Sequence, residues 1–191
     1  METRRRVLLT RLQDPDPGVR TAAARALDRL DALEALPAVL GNLREKRREE
    51  WVGLLRSLEG LRDETCLKFA LQALAHPAVD VRLAALDLAS DFRDWRATAH
   101  LARLLGDESP LVRARAAEVL GALGDRRAAA QVAPLLDDPE PQVQAGAAAA
   151  LGHLGHAPSA PALTALASHP DPGVRAAAVE ALGRLAFTNR S

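Results

Sequence analysis

The side chains able to do chemistry are few, and most of them recur. His153 and His156 stand three apart, the spacing that puts two imidazoles on one helical face. Gly155 falls between them at an expected helix end, and no third histidine or carboxylate adjoins them, so the pair does not make a metal site. Asp94-Trp95-Arg96 sets an aromatic ring beside an arginine, the pairing expected of an interaction hot spot, at a turn whose aspartate is a recurring cap. Arg20, Arg82, Arg113 and Arg175 recur in register, as do Asp63, Asp94 and Asp125. Catalysis needs one singular constellation, and residues present in every segment point to a structural ladder of Arg–Asp contacts between stacked units. Cys66 is the only cysteine, which excludes an intrachain disulfide and a cysteine-based zinc site within one chain. No phosphate-binding glycine loop, nucleophile elbow or paired-cysteine motif occurs. The residues argue against an enzyme, and no cofactor is implied.

What positions these residues is a repeat of 31 residues. Val112 recurs as Val143 and Val174 downstream and as Val81, Glu50 and Val19 upstream, without insertions. A period of this length marks a solenoid, whose units bury their apolar faces only against each other. The clearest unit runs from Asp107 to Asp137: a proline-bearing acidic turn, an Ala/Leu-rich helix, a Leu-Gly-x-Leu-Gly-Asp turn and a second apolar helix. Gly124 and Gly155 suit the left-handed residue that closes a helix, and Asp63, Asp94 and Asp125 can cap the helices that follow. Gly121, Gly152 and Gly183 fall inside first helices, where a neighbouring backbone is expected to come close.

Taken in order, the chain is one repeat domain, 1–191. Residues 1–13 form an N-terminal cap helix, equivalent to a second helix, with Leu8, Leu9 and Leu12 at the positions of Val132, Ala133 and Leu136. Arg4, Arg5, Arg6 and Arg11 make this cap basic. Full units span 14–44, 45–75, 76–106, 107–137 and 138–168, and 169–191 is a C-terminal half repeat. In 14–44 the first helix carries Val19, Ala23, Leu27 and Leu30, and the second carries Leu36, Val39, Leu40 and Leu43. Unit 45–75 is the odd one: Glu45–Glu50 replaces the proline turn, so helix is expected to cross the junction, and Trp51 takes the place of the recurring arginine.

Val112-Arg113, Ala116-Ala117 and Leu120-Gly121-Ala122-Leu123-Gly124-Asp125 resemble the HEAT-like repeats of the type named after phycobilisome lyases, and Val174-Arg175 with Leu182-Gly183-Arg184-Leu185 continues the likeness. The resemblance covers essentially the whole chain and implies an all-α, right-handed α-solenoid in which first helices form the convex layer and second helices line the concave one. Candidate partner-binding residues on that concave face are Phe69, Trp95, Arg96, His100, Arg103, Arg126, Arg127 and Gln131, combining aromatic anchors with arginine as interaction hot spots do.

The resemblance also opens other classes. HEAT-like di-iron hydroxylases bind iron through His-Glu dipeptides, and this sequence has none. HEAT-like DNA glycosylases hold damaged DNA with Trp, Asp and Arg on the concave face. Here those residues are consecutive, and Lys plus Arg equals Asp plus Glu at 25 each, leaving no basic surplus to track phosphate. A bilin-lyase-like subunit would hold a tetrapyrrole, which the scarcity of aromatic residues disfavours. The leading expectation is a non-enzymatic scaffold, a monomer that binds another protein. With no apolar run of membrane-spanning length and no secretory signal, it reads as cytoplasmic.

Overall fold

A computed structural model describes residues 2–41 and 47–188, and side chains over 2–36 and 47–186. All regular structure among the described residues is helical, and it forms an α-solenoid. The helices are α1 (Glu2–Arg11), α2 (Pro17–Gly41), α3 (Arg48–Ser57), α4 (Glu64–Ala73), α5 (Val79–Ser90), α6 (Thr98–Arg103), α7 (Pro110–Leu123), α8 (Ala129–Val132), α9 (Pro141–Leu154), α10 (Ala160–Leu166) and α11 (Pro172–Thr188). Helices α3, α5, α7, α9 and α11 are first helices of their units. The second helices of the later units begin with a short 3-10 turn: Trp95–Ala97 before α6, Arg126–Ala128 before α8 and Ala157–Ser159 before α10.

The repeat is visible as columns of buried side chains. Leu58, Leu120 and Leu151 occupy one column of first helices, and Ala70, Leu101, Val132 and Leu163 one column of second helices; all are fully buried. No single unit could enclose these residues, so burial in one unit depends on its neighbours. The seam is narrow because it is built from small residues. A Cβ on Gly121 would lie 2.6 Å from the Ala150 Cα, and one on Gly152 2.7 Å from the Ala181 Cα. Glycine is therefore required where α7, α9 and α11 touch backbone to backbone. Gly183, in the same register, meets nothing within 4 Å.

Turn chemistry decides where units break. Gly124 (φ 76°) and Gly155 (φ 66°) are left-handed as expected, and Arg93 at the equivalent position adopts φ 47°. Asp31 is the equivalent residue in 14–44. There is no left-handed break there: α2 runs unbroken from Pro17 to Gly41, where two helices were expected. Without a glycine to end the helix, Leu30-Asp31-Ala32 simply continues it. Arg47 is extended (φ −69°, ψ 154°) and α3 starts after it. The expected helical crossing over Glu45 and Lys46, and the placing of Leu43, lie outside the described residues.

The Arg ladder exists with different acceptors from those the sequence suggested. Arg82 donates to Asp107 at 2.8 Å and Arg113 to Asp138 at 2.8 Å, so each arginine reaches the aspartate that opens the next unit. The Nη1 atoms of Arg82 and Arg113 also tie down their own opening turns, at the carbonyls of His76 and Pro77 and of Asp107 and Glu108. Asp63, Asp94 and Asp125 are not rungs. They cap the second helices, accepting from the backbone N–H of Thr65, Arg96 and Arg127. Where the ladder acceptor is a histidine, the donor is no longer arginine. In the rung position before His76 stands Trp51, whose ring lies 5.2 Å from the imidazole. In the rung position before His169 stands Gln144, which bonds the Asp138 carbonyl instead. Arg82 and Arg113 are the arginines at this position that meet a carboxylate among the described residues.

Candidate functional site

The exposed side of the second helices carries the candidate residues, and the caps decide their geometry. Asp94 and Asp125 each receive a backbone N–H two residues on, which holds them at helix starts. Each then grips the arginine of that same residue through two nitrogens. Arg96 reaches Asp94 with Nε at 2.9 Å and Nη2 at 2.7 Å, and Arg127 reaches Asp125 with Nε and Nη2 both at 2.9 Å. Such forked pairs fix the guanidinium plane. The hydrogen bond from Arg96 holds the Asp94 carboxyl below the usual carboxylate range, and that from Arg127, seconded by Thr98, holds Asp125 well below it.

Between these two pairs stands Trp95. It is 65 % exposed, the most exposed large apolar side chain of the second-helix face. The Arg127 guanidinium carbon lies 5.4 Å from its ring centroid, a cation–π contact that joins one unit to the next. Thr98 donates to Asp125 at 2.8 Å and makes a second link between the same units. Trp95 is thus an exposed ring braced from one side. His100 and Arg103 follow Arg96 at helical spacing, and Gln131 follows Arg127; all are exposed, as is Arg126. Among the described residues, Arg103 and Arg126 have no carboxylate partner.

Phe69 must be removed from the candidate set. It is fully buried, with its ring stacked on Trp51 at 5.1 Å and 7°. The face expected to present it instead turns it inward, because Trp51 fills the space that an arginine rung takes in other units. Conversely, Glu64 belongs to the row and was overlooked: it lies 3.8 Å from Arg96 and pairs with Lys68 at 3.2 Å. Its position one residue after the Asp63 cap, level with Trp95 and Arg126, was the available signal. His153 is exposed, and His156 is engaged with Ser159 at 2.8 Å through Nδ1.

An open apolar groove of about 500 Å³ lies elsewhere, between α1 and α2, lined by Val7, Leu8, Ala26, Leu30 and Leu61 with Arg4 and Arg29 at its rim. The basic cap is partly neutralised, since Arg5 pairs with Asp31 at 2.7 Å and Glu34 at 3.0 Å. Val7 and Leu9 are 56 % and 51 % exposed.

Stacked helix pairs with an exposed row on their second helices define a helical-repeat solenoid, a fold typical of protein-interaction scaffolds. The chain belongs to the HEAT-repeat family, matching HEAT repeats over residues 67–139 and 131–190 and a further HEAT repeat over 5–31. No curated protein matches the sequence. Among solved structures, the chain is similar to the complex of CpcE and CpcF of phycocyanin lyase from Nostoc sp. PCC7120, with 20 % identity and a TM-score of 0.62 over 96 % of this chain. It spans only 65 % of that lyase chain. It is also similar to human deoxyhypusine hydroxylase, at 22 % identity and TM-score 0.56, over 98 % of this chain and 75 % of that one. A designed armadillo repeat protein in complex with the peptide (KR)4 gives 18 % identity and TM-score 0.57, over 93 % and 98 %. These likenesses show the fold.

Proposed function

We propose that the chain is a non-enzymatic interaction module that seats another protein on the face of its second helices, with Trp95 as the anchor. The observation that carries this reading is a tryptophan left 65 % exposed yet braced by Arg127. An exposed aromatic costs solvation in the free chain, and bracing lowers the entropy lost when a partner covers it. Flanking it, Arg96 and Arg127 are already committed to Asp94 and Asp125, while Arg103 and Arg126 keep free donors. The complement to that pattern is an apolar side chain for the ring with carboxylates beside it, so the partner segment is acidic. HEAT-repeat solenoids are generally non-catalytic. No helix among the described residues is long and apolar enough to cross a membrane.

The test is a comparison of the proteins captured from native lysate by the wild-type chain and by Trp95→Ala combined with Arg103→Glu. Neither side chain is part of the seam, so helicity and melting should stay unchanged while the specific prey is lost. Capture of the same prey by both, or a collapse of melting in the variant, defeats the proposal.

A further inference from the structure

The two ends of the array are complementary halves of one unit. Helix α11 is a first helix, and among the described residues no second helix follows it; α1 is a second helix, packed on one side against the first-helix part of α2, and among the described residues no first helix precedes it. Several exposed positions on α11 are ones that the next unit covers elsewhere. Val179 is 57 % exposed, whereas Ala117 and Ala148 at the same position are fully buried. Leu182 is half-buried, whereas Leu120 and Leu151 are fully buried. At the other end, Leu8 and Leu30 are half-buried and line the 500 Å³ groove, whereas their counterparts Val132 and Leu154 are 0 % and 2 % exposed. That groove has the place of a missing first helix.

We infer that α11 of one copy docks into the α1–α2 groove of a second copy, so that the two half units make one whole unit and the array continues head to tail. The register of the repeat then fixes every contact. Gly183 comes to stand against Ala26 of the second copy as Gly121 stands against Ala150 and Gly152 against Ala181. The residue type that tolerates the rail is present on both sides: glycine on the donor helix, alanine on the receiver. Leu182 enters between Leu8 and Leu30.

The charges agree as well. Asp14 opens the unit that follows α1, so it stands to Arg175 of the other copy as Asp138 stands to Arg113. Asp14 is folded like the other ladder acceptors: its Oδ1 takes the N–H of Asp16 at 3.1 Å, as Asp107 takes that of Ser109 and Asp138 that of Glu140. Among the described residues the one cation its carboxylate meets within the chain is the exposed Arg11, at 3.3 Å. Arg175 is folded like the other donors, with Nη1 on the carbonyls of His169 and Pro170 at 2.7 and 2.8 Å, and among the described residues it reaches no carboxylate. Among the described rungs, Arg82 and Arg113 meet an aspartate acceptor, and a histidine acceptor goes with Trp51 or Gln144. An arginine at 175 therefore matches an aspartate at 14. Because the two patches differ, the association is heterologous and propagates beyond a dimer unless the turn of the solenoid closes a ring.

The experiment is sedimentation velocity on the 191-residue chain over a concentration series, with two blocking variants. Gly183→Leu fills the rail of α11 at a site where nothing lies within 4 Å in the single chain, so folding is untouched. Ala26→Arg fills the groove, which has room for the longer side chain in the single chain. Wild type is expected to gain mass with concentration, each variant alone to stay at the 20.3 kDa of one chain, and their equimolar mixture to stop at a pair. Should Ala26→Arg fail to fold, Arg175→Asp and Asp14→Arg serve in its place: each alone loses association and their mixture recovers it through the exchanged charges. A wild type that stays at one chain throughout, variants that associate like wild type, or mixtures that stay at one chain overturn the inference. These surfaces do not include Trp95, so the outcome is independent of partner capture there.

Discussion

Replacing the buried Arg82 with alanine should be among the most damaging single changes to a charged residue of this array, although a sequence reading would class it as the loss of one of many arginines. Its side chain is 7 % exposed and that of Asp107 is 8 % exposed, so the variant strands a carboxylate that folding has already desolvated. Breaking a buried pair from one side costs about 3–5 kcal/mol, and here two backbone carbonyls, of His76 and Pro77, lose their donor too. The natural control is Arg20→Ala. Arg20 makes the same two carbonyl contacts, to Asp14 at 2.7 Å and Pro15 at 2.9 Å, but both are exposed to water. That change should cost about 1 kcal/mol. Urea titration followed by circular dichroism measures both, with amide exchange over 79–123 to show whether the loss is local, since a repeat array need not unfold in one step. Combining Arg82→Met with Asp107→Leu should recover the part of the loss due to the stranded charge, while the turn bonds to the His76 and Pro77 carbonyls and from the Ser109 N–H stay lost. If Arg82→Ala and Arg20→Ala shift the urea midpoint equally, burial of the rung is not what gives it value, and the argument is wrong.

The capping and ladder carboxylates predict the response to acid. Asp138 is held below its ordinary value chiefly by the hydrogen bond from Arg113, and Asp94 and Asp125 by those from Arg96 and Arg127. Their folded pKa values lie below the unfolded one of about 3.9, so the stability they add is present above about pH 4–5 and is lost as pH falls through the depressed values. Asp138→Asn should therefore be less stable than wild type at pH 7, with the gap closing below about pH 3 in thermal melts. Gly121→Ala should lower stability by about 1–3 kcal/mol, because its Cβ would sit 2.6 Å from the Ala150 Cα, while Gly183→Ala, where the Cβ meets nothing, should gain about 0.5–1 kcal/mol by chemical denaturation at low protein concentration. Arg93→Gly should raise the melting temperature, since φ 47° costs an L side chain about 1–2 kcal/mol.

What the sequence by itself determined was everything that repeats. A 31-residue period fixes which positions are equivalent, so the left-handed Gly124 and Gly155, the caps Asp63, Asp94 and Asp125 and the rail glycines Gly121 and Gly152 were all legible, each demanded by a local backbone requirement. The same logic reached Trp95, Arg96 and Arg127 as neighbours on successive units. Only the tertiary structure decided what depends on the partner of a side chain. The period named the arginines but not their acceptors, because a guanidinium spans several ångströms and could have reached either set of aspartates. It placed Phe69 on a second helix but not on the buried side, which followed from Trp51 taking the rung site. It divided 14–44 into two helices, whereas cooperative helix propagation carries α2 through wherever no residue ends it. Equivalence is a property of the chain, while burial and charge pairing belong to the contacts each unit finds.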